Sequence, residues 1–418
     1  MRKYTALILS LILCVCSFPF TAYAEDAYFT DEQIEYYKNL GLQGTTVNVY
    51  NWGEYISDGS EGSMDVVSEF ERLTGATVNY TNFESNENMY SKLAGGGVSY
   101  DVIVPSDYMI DRLIDEEMLL PLDYDNIPNM KYISEEYQHL YYDPDQLYSV
   151  CYNIGTTILI YNKTLVSEEP DSWEVLWDEQ YKDQVLMFNN SRDAFAIAQA
   201  VLGKDFNSTV EQDWVDCAQL LAEQKDKTNP VYVMDEIFNL MESGEYALGV
   251  YYAGDYLLMV ENNEDLGYCF PKEGVNFFYD AFCIPTCSQN KRGGEAFINF
   301  MHEPQVAYEN SEYIYYRSPN ITVEDNEESS LYGSEVIYTS DDVKSQSFKN
   351  LPQNIIELQN NLWTQVKSGK LSADNEEQNR KIYIECAVIG SVAVVVIVIK
   401  LISNAKKKKE QDLSDLYD

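Results

Sequence analysis

Between residues 46 and 117 the sequence switches three times from a two-residue to a helical apolar period, and that repeated switch restricts the chain to an α/β fold. Residues 46–51 alternate as a strand. Met64, Val67, Phe70 and Leu73 then recur at helical spacing and stop at Gly75, a residue suited to the left-handed conformation that closes a helix. Residues 76–81 read as a second strand, 87–93 as a short helix before Gly95-Gly96-Gly97, and 100–105 as a buried strand leading into a helix at about 107–117.

After residues 147–161, which read as one or two long crossing strands, the pattern returns with different helices. A helix over 172–181 and a strand over 185–188 lead to Ser191, which is expected to cap a helix running to Leu202. Helices over 210–224 and 235–243 then precede a strand at 246–252. Residues 277–284 read as a strand leading back to the first lobe, helices follow over 292–302 and 304–310, and 351–367 is a last amphipathic helix. Two α/β lobes joined by at least two crossovers account most economically for a chain of 418 residues. Such sheets place ligands in the loops beyond the carboxyl ends of their strands.

The two ends carry separate signals. Arg2 and Lys3, an apolar run over 7–16 and Ala22-Tyr23-Ala24 before Glu25 make residues 1–24 a secretory signal peptide. Leu13 and Val15 precede Cys14 and Cys16 where a lipoprotein signal needs a small residue, so no lipid anchor is expected there. Residues 25–44 read as a leader segment or spacer. Residues 382–399 are apolar apart from Glu385 and are followed by Lys400 and by Lys406, Lys407, Lys408 and Lys409. That length and basic flank predict one transmembrane helix over 382–402, a cytoplasmic tail over 403–418 and a folded domain on the outer face of the cell membrane.

Residues 25–381 hold 21 Lys and Arg against 64 Asp and Glu, a surface that repels nucleic acid and attracts cations, although acidity also serves solubility alone. Beyond the signal, Cys151, Cys217, Cys269, Cys283, Cys287 and Cys386 form no CxxC pair, and His139 and His302 are the only histidines. That composition argues against a zinc site and a histidine-based triad, and it leaves a disulfide from Cys269 to Cys283 or Cys287 open. Gly95-Gly96-Gly97 lacks the Lys-Ser/Thr of a phosphate-binding loop, and Asp65 and Glu69 have the spacing of a solvated helix face. Neither an enzyme nor a cofactor is expected.

Aromatic and acidic residues fall at the expected strand ends. Trp52, Glu54 and Tyr55 follow the first strand, Ser106 and Tyr108 the third, Tyr252 and Asp255 a strand of the second lobe, and Phe278 and Asp280 lie in the returning segment. Ring faces attract ammonium groups and cover methylenes, while carboxylates accept charge-assisted hydrogen bonds. The set suits an organic cation.

The segments Tyr50-Asn51-Trp52-Gly53-Glu54-Tyr55, Phe83-Glu84-Ser85-Asn86-Glu87-Asn88-Met89-Tyr90 and Tyr100-Asp101-Val102-Ile103-Val104-Pro105-Ser106-Asp107-Tyr108 resemble those of bacterial spermidine/putrescine-binding proteins of polyamine ABC transporters. Ser191-Arg192-Asp193, Phe270-Pro271-Lys272-Glu273-Gly274 and Ser318-Pro319-Asn320 continue the resemblance in order, over roughly residues 46–369. It implies a two-lobed periplasmic-binding-protein-like (type II) fold, with lobe 1 over 45–151 and 281–345, lobe 2 over 152–280 and 346–378, and a ligand cleft between them. It carries the ligand positions onto Trp52, Tyr55, Ser106, Tyr108, Asp193, Tyr252, Phe278, Asp280, Tyr316 and Gln353; Glu54, from its place after the first strand, is read as a further acceptor. Tyr252 and Phe278 stand where the family has tryptophan. Asn190 stands where it has a second carboxylate, which is expected to penalise spermidine more than putrescine. The implied function is capture of putrescine or spermidine outside the cytoplasm for the permease of an ABC importer. The rival is a membrane-anchored sensory or adhesive protein for another organic cation.

Overall fold

The computed structural model describes residues 28–340 and 342–371. The signal segment, residues 382–402 and the tail therefore lie outside the described residues; among those described, no helix is long and apolar enough to cross a membrane.

Among the described residues ten strands build the fold: β1 (Thr46–Trp52), β2 (Thr77–Phe83), β3 (Val102–Ile103), β4 (Ser149–Asn162), β5 (Val185–Phe188), β6 (Val231–Val233), β7 (Leu248–Tyr252), β8 (Leu266–Cys269), β9 (Val275–Cys283) and β10 (Ser345–Gln346). Eight run in the order β2-β1-β3-β9-β4-β7-β5-β6, with β8 beside β4 and β10 beside β9. β1 lies parallel between β2 and β3, and β5 lies parallel between β6 and β7. Each half thus contains a point where consecutive strands diverge to opposite sides. Crevices open there at the strands' carboxyl ends.

β4 is one strand of 14 residues that serves both halves, pairing antiparallel with β9 through Ser149 to Thr156 and with β7 from Thr157 to Tyr161. Its residues are buried almost throughout, so the alternation of a half-exposed strand is absent. Two apolar clusters form the core of the described residues, and the larger draws residues from both halves, Ile103 and Met109 as well as Leu186 and Leu248. Phe70, Phe297 and Phe300 lie in one, Trp173, Phe195 and Trp214 in the other.

Local signals set most boundaries. Helix Val66–Thr74 starts at the Asp65 cap and ends on Gly75 at φ 71°, as its periodicity predicts. The helix expected to be capped by Ser191 is instead Ser191–Val201 with Asn190 as its cap, because the Asn190 side chain accepts from the Arg192 amide. The segment over 172–181 forms two short 3-10 turns, Trp173–Trp177 and Glu179–Tyr181. β6, β8 and helix Ala253–Asn262 were not legible in the periodicity. Within the segment read as a leader, helix Asp31–Lys38 is folded onto the domain: fully buried Tyr37 donates to Glu303 Oε1 at 2.8 Å and accepts from Asn299 Nδ2 at 2.9 Å. The described cysteines are all free thiols, so Cys269 bonds neither Cys283 nor Cys287.

Candidate functional site

The crevices of the two halves face each other and enclose a cleft of about 680 Å³. At the end of β1, the Trp52 indole donates to the Val104 carbonyl at 2.9 Å and packs on Phe83, with ring centres 4.6 Å apart. Those two contacts hold the indole beside the cleft. Glu54 follows in a left-handed conformation at φ 45°, and Tyr55 donates its hydroxyl to Asp280 Oδ2 at 2.8 Å. Ser106, just past β3, bridges Asp280 through the backbone and accepts from Asn86 Nδ2 at 3.0 Å. Tyr108, in the first turn of helix Asp107–Asp115, donates to Glu87 Oε1 at 2.9 Å.

The opposite wall comes from the other half. Asn190 caps helix Ser191–Val201, whose first turn carries Asp193. Tyr252 ends β7 and donates to Asp193 Oδ2 at 3.1 Å, while Phe278 meets the Tyr252 ring edge-on at 5.4 Å. Tyr316 donates to Asp255 Oδ2 at 2.9 Å. Every ligand residue expected from sequence lines this cleft except Gln353. Gln353 is corrected: it sits exposed in the first turn of helix Gln353–Ser368 and bonds Glu357 Oε1 at 3.0 Å, since that helix packs its apolar face on helix Glu211–Thr228 and turns this end to solvent. Sequence reasoning left Asp107, Asp235, Tyr251 and Asn276 out of the site; all four line the cleft. Asp235 follows β6, so recognising that short strand would have found it by the strand-end rule.

Glu54, Glu84, Asp107, Asp193, Asp235, Asp255 and Asp280 all line the cleft, and no described Lys, Arg or His does. Burial pushes Asp193 up to about 7 and Asp280 up to about 6. It also raises Asp107 and Asp255 well above the usual carboxylate range, and raises Asp235 and Glu54, the latter further through Asp235 and Asp58 nearby. Desolvation without a cation favours the neutral acid, and a cation entering the cleft reverses that preference.

Hydrogen bonding separates these carboxylates from structural ones. Asp101 is equally buried, yet both oxygens are occupied: Oδ1 accepts from Ser288 Oγ and the amides of Gln289 and Asn290, and Oδ2 from Asn48. In the cleft, Asp107 Oδ2, Asn276 Oδ1 and Asp280 Oδ1 are buried and accept no hydrogen bond of ordinary geometry. Buried acceptors without donors are costly, so the cleft is built for a guest that brings N–H groups and positive charge. Among the described residues no group of three or more His, Cys, Asp or Glu is arranged to hold a metal ion.

Residues 65–334 match the family model of the bacterial extracellular solute-binding proteins. The chain belongs to that family. A solute-binding protein carries its ligand, and this one is not an enzyme. The chain is 32% identical over 281 residues to the spermidine/putrescine-binding periplasmic protein of Salmonella typhimurium, an alignment covering 66% of this chain and 78% of that protein. It is 28% identical over 352 residues to the putrescine-binding periplasmic protein PotF of Escherichia coli, covering 79% and 94%. The solved structure of the spermidine/putrescine ABC transporter substrate-binding protein PotD from Streptococcus pneumoniae superposes with a TM-score of 0.64 at 31% identity, over 78% of this chain and 99% of that one. For a two-lobed solute-binding protein, the cleft between the halves is the binding site that the geometry supports.

Proposed function

We propose that this solute-binding protein captures a polyamine, putrescine or spermidine, outside the cytoplasm and delivers it to the permease of an ABC importer. The observation that carries the reading is the pairing of aromatic walls with buried carboxylates whose free atoms are all acceptors. A polyammonium chain supplies what is missing: N–H donors at intervals, positive charge, and methylenes to lie against Trp52, Tyr252 and Phe278. Asp193 and Asp280 serve as ammonium anchors, Glu54 as a third acceptor, and Tyr55, Ser106, Tyr108, Asn190 and Tyr316 complete the wall. The names of the relatives support the same ligand class.

In this reading lobe 1 comprises residues 45–151 and 281–345 and lobe 2 comprises 152–280 and 346–378. They close on the ligand about β4 and β9, the strands that cross between them, and the closed form is what the permease engages. Residues 382–402 tether the domain to the outer face of the membrane, which raises the concentration of loaded protein near its transporter. Titration calorimetry of the full chain with putrescine, spermidine and a set of amino acids tests the proposal. Saturable binding of a polyamine alone is expected, and a preference for an amino acid or the absence of polyamine binding overturns it.

A further inference from the structure

Beside the cleft lies a second pocket, open to solvent, with the opposite bonding deficit. Arg192, 2% exposed, donates through Nη2 to Asn207 Oδ1 at 3.0 Å and to the Lys349 carbonyl at 3.3 Å, while Nε and Nη1 donate no hydrogen bond of ordinary geometry. Gln359, 5% exposed, leaves Nε2 undonated in the same pocket. In the cleft every orphaned buried atom is an acceptor; here every one is a donor. A guanidinium stacked 4.6 Å from the Phe348 ring is held in place, with its N–H groups left for a partner that the protein does not provide. Lys349 adds positive charge to the lining, and Arg112 does so in part, since its Nε donates to Glu116 Oε1 at 2.8 Å; Glu87 opposes them, with its Oε1 already taken by Tyr108.

We propose that this pocket binds a small oxyanion, of phosphate or carboxylate size, and that its occupancy is coupled to that of the cleft. Arginine suits such a guest because its fixed fork of donors matches the oxygens of these groups. Glu87 lies close enough to act on Arg192 and opposes an anion, whereas burial holds Asp107 and Asp193 toward the neutral acid in the ligand-free protein. The cleft and this pocket are bounded by the same two halves, so a ligand that closes the cleft strengthens anion binding next to it. The pocket also draws its lining from both halves, Tyr108 and Arg112 from one and Arg192 and Gln359 from the other, so the anion holds them together. Linkage makes the effect reciprocal. The anion site itself does not depend on what fills the cleft; the coupling rests on the proposed closure of the two halves about a ligand there.

Titration calorimetry of the full chain with sodium phosphate, at ionic strength fixed with sodium chloride, reads the site with and without saturating putrescine, and sodium acetate in place of phosphate distinguishes the two oxyanion classes. Saturable binding is expected, at least twofold tighter with putrescine present, and at least fivefold weaker in Arg192→Lys and in Lys349→Gln. Lys349→Gln keeps its putrescine affinity in chloride within about twofold, which shows that the variant is folded even where Arg192→Lys is not. Non-saturating heats with both anions, or phosphate and acetate affinities unchanged in Lys349→Gln and Gln359→Leu, overturn the site. Equal anion affinity with and without putrescine overturns the coupling. A chain that binds phosphate but no polyamine keeps this site and loses the proposed function.

Discussion

Asp280 has one oxygen committed to Tyr55 and the other unpartnered toward the cleft, so an isosteric amide removes charge and leaves the wall in place. Asp280→Asn is expected to weaken putrescine binding by about 3 kcal/mol, more than a hundredfold in Kd, with an unchanged circular dichroism spectrum. A loss of less than tenfold removes Asp280 from the ligand's partners. Its protonation gives a second test. Burial holds Asp193 near 7 and Asp280 near 6 in the ligand-free protein, whereas a bound ammonium requires both ionised. Affinity is therefore present above these values and is lost as pH falls through them, because protons compete with the ligand. Between pH 7.5 and 5.5 putrescine should weaken roughly tenfold to a hundredfold, and titrations in buffers of different ionisation enthalpy should show proton release near neutrality. A pH-independent Kd would mean that neither carboxylate meets the ligand.

The element that carries Asp193 also explains why Asn190 is tolerated. Its side-chain oxygen caps helix Ser191–Val201, and Asp fills that role equally well while adding a charge that the helix N-terminus favours. Asn190→Asp should therefore keep the fold and shift preference toward spermidine, measured by competition between the two polyamines; an unchanged ratio places Asn190 outside the ligand's reach. A contact between elements supplies another test. A methyl group on Gly53, after β1, would lie 2.3 Å from Asp235 Oδ2, after β6, so the two halves meet here and a side chain must displace a carboxylate that Tyr251 holds at 2.9 Å. Gly53→Ala should leave each half folded but hold the cleft wider, weakening putrescine at least fivefold and expanding the ligand-bound protein in small-angle scattering. Unaltered affinity would show that this contact yields at little cost. Caps, terminal glycines and apolar periods made most of these elements readable in advance. β6 and β8 were not: unlike the equally short but wholly apolar β5, they carry no continuous apolar run, and their strand state comes from pairing with β5 and β4.

For the molecule as a whole, the proposed tether predicts that removing residues 382–418 releases a protein that binds putrescine with the affinity of the full chain. Membrane fractionation of both forms decides it, and a full chain already free of the membrane without proteolysis ends the tether. The sequence by itself determined the α/β class, the two lobes and the strand ends at which Trp52, Tyr55, Ser106 and Tyr252 would gather, because periodicity and capping act over a few residues and strand ends are ligand sites in any such sheet. Only the tertiary structure decided which buried acids are structural and which are free. Asp101 draws its donors from Asn48 and residues 288–290, Asp280 draws one from Tyr55 and lacks the rest, and Gln353 ends in solvent although the family resemblance pointed it to the cleft. Desolvation and hydrogen-bond supply are set by neighbours distant along the chain, and no local pattern in the chain encodes them.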